Sequence, residues 1–370
     1  MKKSTVQAIA LVAASVCVTL LGLELSLRVY NGKLFNFESL LDDSASRAKR
    51  ISRVARVQYD QTLGWTPTIG RSVSHWTANV DSSGLRSNGR SISAPGRPIL
   101  AIGDSFTFGD EVADEETWVA ALERRLNKRV LNAGVSAYGV DQAVLRAERL
   151  LDEYQPDIVI LSFVSDDINR TEFDYFPYGR GWKPYFELVN GSLSLRNVPV
   201  PQTPRPVPFA VLRDAFGHSY FARFVLSRAA PRWWRNIPSV NGVHADGENV
   251  TIALVTRLDS IARSRGAHFV AVAFASNALA KGNEQENARL PGVTRRARAS
   301  VRHVLDLSTE TLQLHPDSLE RRFLPGGHHT APMNAWVAER ISAFLQENDI
   351  IPSTGSRSLI PRPVNAGEAR

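Results

Sequence analysis

The sequence predicts an α/β fold: three layers around a doubly wound, mostly parallel, five-stranded sheet. A transmembrane helix precedes it at the amino end, and a hairpin-and-loop section is inserted within it. Three observations carry this reading. From residue 97 onward, short apolar runs alternate with amphipathic segments of helical spacing. The short runs are apolar at consecutive positions, as strands covered on both faces require. Residues 4–23 form an uncharged run behind Lys2 and Lys3.

That run is the first element. Twenty residues rising about 1.5 Å each span roughly 30 Å, the thickness of a bilayer core. Its exit, Gly22-Leu23-Glu24-Leu25-Ser26-Leu27-Arg28, is a poor cleavage site, which favours an uncleaved anchor over a signal peptide. The leading lysines place the amino end in the cytoplasm and the remaining chain outside the inner membrane, in the periplasm. The basic residues Arg47, Lys49, Arg50, Arg53 and Arg56 follow as a solvated helix face and weigh against that orientation. Residues 1–28 are thus expected as the anchor and 29–58 as a helical stalk. Residues 59–348 are expected as the main domain and 349–370 as a flexible tail.

Within the domain, residues 59–95 read as short strands and turns around Leu63-Gly64-Trp65 and Gly84-Leu85-Arg86. Ile99–Ile102 is the first strand of the sheet, residues 129–135 the second and Ile158–Phe163 the third. Residues 268–275 are the fourth and 301–307 the fifth. Helices are expected over Trp118–Leu126, 143–151, 250–262 (capped by Asp246) and 335–345. The insertion covers about 170–246. Asn190-Gly191 between 186–189 and Ser192–Arg196 is a strong hairpin signal, because both turn positions favour positive φ. Five prolines between 199 and 208 impose an extended loop. Arg232-Trp233-Trp234-Arg235 reads either as a packed aromatic pair or as a sugar-stacking or lipid-facing element.

Composition excludes several function classes. Hydrophobic residues are 43% and charged residues 22%, the balance of a folded chain. Cys17 is the only cysteine, so an internal disulfide framework, paired CxxC zinc sites and a Cys-His protease are excluded. His75, His218, His244, His268, His303 and His315 lack metal spacing, and no phosphate loop, dinucleotide fingerprint or HExxH motif occurs. Neither metal nor cofactor is expected. The net charge of +7 suits an anionic surface. No aromatic-interleaved basic motif points to nucleic acid.

Four pieces fall at one edge of the expected sheet, where such folds bind ligands. Gly103-Asp104-Ser105-Phe106 follows the first strand, and a serine at a helix start suits a nucleophile facing a developing anion. Asn132-Ala133-Gly134-Val135 follows the second. Phe163-Val164-Ser165-Asp166-Asp167 follows the third. Pro325-Gly326-Gly327-His328-His329 leads into the final helix. Asp110, Asp114, Glu115 and Glu116 read as helix-start charges favoured by the dipole.

On these blocks, across about residues 60–348, the chain resembles the SGNH/GDSL hydrolase superfamily, in particular its membrane-anchored bacterial branch. The resemblance implies a flavodoxin-like sheet order and a serine-dependent esterase. It implies Ser105 as nucleophile and His328 as general base, His328 fitting better than His329 by its distance from Glu339. It implies an oxyanion hole from the backbone of Ser105 and Gly134 with a third-block side chain. The chain departs from the family twice. Asp166 stands where an asparagine is usual, and an ionised carboxylate would repel an oxyanion; Asn169 is a neighbouring donor. Gly326 stands where the histidine-orienting aspartate is usual; Asp317 or a backbone carbonyl could serve, or a Ser-His dyad. Asp104 and Asp167 are supporting candidates.

The implied substrates are O-acyl, most plausibly O-acetyl, esters of an envelope or exported polysaccharide, or a small ester, with polysaccharide assembly or export proteins as partners. The alternatives are an O-acetyltransferase, as in the exported alginate O-acetylation proteins of the superfamily, or a non-catalytic glycan-binding module. The insertion shows no long apolar stripe of the kind a lipase channel needs.

Overall fold

Side-chain alternation builds the central sheet. Its strands are β1 (Ile99–Ile102), β2 (Val130–Asn132), β3 (Ile158–Phe163), β4 (His268–Ala273) and β5 (Val304–Asp306), all parallel, in the order β5-β4-β3-β1-β2. Leu100, Ile102, Val159 and Leu161 face one core, while Ile99, Ala101, Ile158 and Ile160 face the other. Period-two alternation between two apolar faces is why these runs show no regular apolar/polar alternation to mark a solvent side. The computed structural model describes residues 3–35, 40, 57–73, 77–90, 92, 94–176, 181–202, 209–234, 246–282, 284–314 and 320–352.

The helices named below are, in chain order, α1 (Lys3–Tyr30), α2 (Ser105–Phe108), α3 (Trp118–Leu126), α4 (Val140–Tyr154) and α5 (Ser165–Arg170). They continue with α6 (Ala210–Phe216), α7 (Tyr220–Ala229), α8 (Gly247–Ser264), α9 (Glu284–Ser300) and α10 (Ala331–Glu347). Residues of α4, α8 and α9 cover the first core; Trp118 and Leu122 of α3 with Met333, Val337, Ile341 and Leu345 of α10 cover the second. Asp246 caps α8 by accepting from the Asn249 N–H at 3.3 Å. The chain reverses its direction across the sheet between β1 and β3, so their carboxyl ends open the crevice where a ligand fits.

Hairpins pack around this unit. Val57–Asp60 pairs with Gly64–Pro67, Gly70–Val73 with Thr77–Val80, and Tyr185–Val189 with Ser192–Arg196 through Asn190-Gly191, both with positive φ. Leu63, Trp65 and Leu85 join the first core.

Several expectations change. The second and fifth strands shorten to three residues each, because residues 133–135 already turn into the site loop. α5 and α9 are helices the periodicity did not reveal; α5 is six residues long, and α9 has Pro291 inside it. Trp234 is buried, which favours the packed pair over a sugar or lipid contact for that residue; Arg235 lies outside the described residues. The helix of the anchor runs to Tyr30, and residues 57–58 of the expected stalk belong to a strand; most of 29–58 lies outside the described residues. The expected tail starts late: Ile350 and Ile351 pack on the second core, and their N–H groups donate to Leu345 O at 2.9 and 3.2 Å. Residues 353–370 lie outside the described residues.

A buried cation fastens the insertion. Lys183 is fully buried, and its Nζ donates to the Asp141 carboxylate at the start of α4. It also donates to Arg170 O and Phe173 O at 3.1 Å and to Pro184 O at 2.9 Å. Lys183→Met should lower unfolding free energy by about 3–5 kcal/mol, because Asp141 would remain buried without its partner. Urea unfolding of the detergent-solubilised full chain measures this. A loss within error would show that the ion pair is not what holds the insertion.

Candidate active site

The nucleophile loop begins where β1 runs out. Asp104 caps the four-residue helix α2, accepting the Phe106 N–H at 2.9 Å. Ser105 therefore stands at the first helical position, where a backbone N–H has no intrahelical acceptor. Its Oγ lies 2.9 Å from His328 Nε2 and 3.1 Å from Asp104 Oδ2. The imidazole arrives on the turn before α10: Gly327 (φ +100) closes that turn, donating to Leu324 O at 2.8 Å. Ser105 and His328 lie 223 positions apart in sequence and meet because both loops leave the same sheet edge.

The third member of the constellation is Glu111. Its Oε2 sits 2.7 Å from His328 Nδ1, and its Oε1 accepts the Gly326 N–H at 3.0 Å. An ionised carboxylate only accepts, so Nδ1 carries the ring proton and neutral Nε2 is left to accept from the Ser105 hydroxyl. Burial opposes ionisation of Glu111, but the His328 hydrogen bond and charge and the two backbone N–H groups hold its pKa below the ordinary value. Burial likewise disfavours the His328 imidazolium. The Glu111 hydrogen bond and the charges of Asp110, Glu111 and Asp104 outweigh it, so the His328 pKa lies above that of a free histidine.

Glu111 replaces the orienting group expected elsewhere. A Cβ at Gly326 would overlap the Glu111 carboxylate, so the glycine leaves the room that the glutamate fills. Asp317 lies outside the described residues, and neither a dyad nor a carbonyl is needed. The sequence carried a signal in two parts: an absent side chain at 326, and an acidic residue six places after the serine. Nothing local joins them across 215 positions. The backbone of Glu111 is held at φ 73, a region uncommon for a residue with a side chain. Arg86 fixes that loop: its guanidinium donates to Phe108 O and Val112 O at 2.6 Å, to Gly109 O, and to Asp114 Oδ1 at 3.0 Å. Asp114 does open a short helix, but Asp110 does not, since it accepts the Ser136 hydroxyl at 2.8 Å and joins the first two site loops.

The remaining expected residues divide. Asp104 and Asp167 do support the site, through Arg170. Arg170 Nη1 donates to Asp167 Oδ1 at 2.5 Å, Tyr138 O at 3.0 Å and Asp104 Oδ2 at 3.3 Å. Burial, then the Asp104 charge, raises the Asp167 pKa well above its ordinary value despite Arg170. Asp166 is 60% exposed and 3.7 Å from Arg170 Nη2, turned outward on the first turn of α5, so it does not contribute to an oxyanion hole in this structure. Asn169 is held by Arg289, whose guanidinium donates to its Oδ1. Gly134 is needed for packing: a Cβ would overlap the Phe108 nitrogen, and its own N–H donates to Asn132 Oδ1 at 3.2 Å. In the same loop Ala137 holds φ 69, and its N–H donates to no acceptor among the described residues.

His329 is the wrong histidine for chemistry. It is buried among Phe106, Phe274 and Phe323, and burial pulls its pKa down to about 3.

Residues 101–329, more than half of the chain, match the model of the GDSL-like lipase/acylhydrolase family. No curated protein matches significantly. Among solved structures the chain is similar to the psychrotrophic esterase EstA from Pseudoalteromonas sp., in a structure inhibited by monoethylphosphonate. The identity is 11%, covering 69% of this chain and 100% of that one, with a TM-score of 0.40. It is also similar to a lipase/acylhydrolase from Enterococcus faecalis, at 13% identity over 68% of this chain and 97% of that one, TM-score 0.39. The matched segment runs from within β1 to His329 and so contains every loop of the candidate site, and the chain belongs to the GDSL-like lipase/acylhydrolase family, a family of carboxylic-ester hydrolases.

Proposed function

We propose that Ser105, His328 and Glu111 form a catalytic triad that removes O-acetyl groups from an envelope or exported polysaccharide at a membrane surface. The observation that carries the triad is the unbroken chain from Glu111 through His328 to Ser105, with links of 2.7 and 2.9 Å. In the reaction, Ser105 Oγ bonds to the acyl carbon as its proton passes to Nε2. The tetrahedral oxyanion collapses, and the sugar hydroxyl leaves with that proton. Water, deprotonated by the same nitrogen, then releases the acid and regenerates the serine. The Ser105 N–H and the Ala137 N–H are the backbone donors assigned to the oxyanion. Glu111 stays ionised throughout and stabilises the imidazolium.

Two observations support a glycan. The Phe176 ring lies 5.7 Å from the Arg170 guanidinium, beside the nucleophile loop, and in the same hairpin Tyr175 and Trp182 form a half-buried edge-to-face pair at 5.3 Å. Aromatic faces of this kind stack on sugar rings. The chain also carries a net charge of +7, suited to an acidic polymer. Residues 5–30 lie in one exposed helix long and apolar enough to cross a bilayer, which supports a membrane anchor, and the leading Lys2 and Lys3 support a domain in the periplasm.

The test is turnover of a chromogenic acetyl ester by the full-length protein, then acetate release from an O-acetylated polysaccharide. Ser105→Ala should lower ester turnover by roughly 10⁴–10⁶-fold. An unchanged rate would remove Ser105 from the chemistry. Acetyl appearing on a glycan acceptor instead of as free acetate would replace hydrolysis with transfer.

The pH profile follows from the Glu111 contact. Only neutral His328 is a base, so kcat/KM should fall as pH drops through a pKa above 6.5, the ordinary histidine value. Glu111→Gln should move that acid limb to lower pH and reduce the plateau by roughly 10²–10⁴-fold. Adding Gly326→Asp to Glu111→Ala should return part of the activity, because the carboxylate then reaches Nδ1 from the other side of the turn. A plateau insensitive to Glu111→Gln would reduce the triad to a dyad.

A further inference from the structure

Helix α6 is built inside out. Its sequence, Ala-Val-Leu-Arg-Asp-Ala-Phe, is mostly apolar, yet none of its residues is buried. Val211 is 83% exposed, and Phe209, Leu212 and Phe216 are exposed along one side at the i, i+3, i+7 spacing of a single face. Its one arginine is turned onto the chain rather than to water: Arg213 Nε donates to Trp233 O and Trp234 O, both at 3.1 Å. On α7, the next helix in the chain, Phe224 is 49% exposed beside Val225, with the Arg228 guanidinium 4.1 Å from the Phe224 ring. A water-facing helix would show the reverse polarity, so these residues need an apolar partner.

The position of the pair identifies that partner. α7 is fastened to α1 by a carboxylate. Glu24 accepts the N–H groups of Tyr220 and Phe221 at 3.1 and 2.8 Å and the Ser219 hydroxyl at 2.8 Å. Arg28 completes the clamp, bonding Glu24 at 2.6 Å and His218 O at 2.7 Å. Glu24 directly follows the uncharged run that ends at Leu23. In a bilayer that run occupies the hydrocarbon, and Glu24 marks the headgroup boundary. The clamp therefore holds the start of α7 at interfacial depth, with α6 just before it in the chain. Residues 209–229 carry three arginines against one aspartate, the sign that suits anionic phospholipid.

We propose that α6 and α7 form a second, monotopic membrane contact, lying in the interface of the bilayer that α1 crosses, with Phe216 and Phe224 at the level of the headgroups and upper acyl chains. This rests on the spanning role of α1 given above. It would make the domain a two-point fixture on the membrane and not a body swinging on a single tether.

Depth-resolved quenching tests it. The full-length protein is reconstituted in phosphatidylethanolamine–phosphatidylglycerol vesicles that carry a nitroxide either near the headgroup or near the acyl-chain end. Bimane is attached to Cys17 in the natural chain, or to Phe216→Cys or Phe224→Cys in a Cys17→Ser background. Both phenylalanine positions are exposed, so the labels replace no core contact. The shallow nitroxide should remove most of the fluorescence at both positions, more than the deep one does, while Cys17 shows the opposite order. Quenching at Cys17 with none at either phenylalanine position overturns the second contact and leaves the anchor standing. No quenching at any of the three positions overturns both.

Discussion

A single guanidinium holds the site loops in register. Arg170 reaches Asp104 on the nucleophile loop, the Tyr138 carbonyl on the loop after β2, and Asp167 at the start of its own helix. Two buried carboxylates converging on one crevice would repel each other and destabilise the fold without a cation between them. Asp166, on the first turn of the same helix, is exposed to solvent and lies 3.7 Å from the same guanidinium. The backbone carbonyl of Arg170 in turn accepts from Lys183, so the insertion is fastened to the residue that orders the site.

The histidine shows how a carboxylate can change its place in the chain and keep its place in space. A base needs one acceptor on Nδ1, and the identity of the strand loop that supplies it is immaterial to the chemistry. Here the acceptor comes from the loop after α2, and the turn before α10 has lost the side chain that would collide with it. The loop that carries Glu111 is wrapped on Arg86, so the strained backbone at residue 111 is held by four acceptors around a buried cation. A base that is already hydrogen-bonded to its carboxylate before substrate arrives needs little reorganisation in the proposed mechanism.

The insertion does two different things along its length. Near Arg170, Phe176 packs on Trp65 and the first core, and Tyr175 and Trp182 form an edge-to-face pair in the same hairpin. Farther along, α6 and α7 turn apolar side chains outward and attach to the helix that leaves the domain. The absence of a long apolar stripe in the sequence of the insertion reflects how short α6 is, with seven residues; its exposed surface becomes evident only once none of its residues is found buried.

The sequence by itself determined the sheet and the two ends of the candidate site. The apolar runs at 99–102 and 158–161, set between helical segments, read as strands covered on both faces, and the serine block follows the first of them. The apolar run at 4–23 is equally local, since length and the lack of charge are sufficient to identify it. Only the tertiary structure decided what lies between. Glu111 reads in sequence as one acid among several, and α5 and α6 are too short for periodicity to reveal them. The donor expected at Gly134 was spent on Asn132, because the loop packs too closely on Phe108 to admit a side chain. These features depend on pairs of residues far apart in the chain, and a local pattern records each partner without recording that they meet.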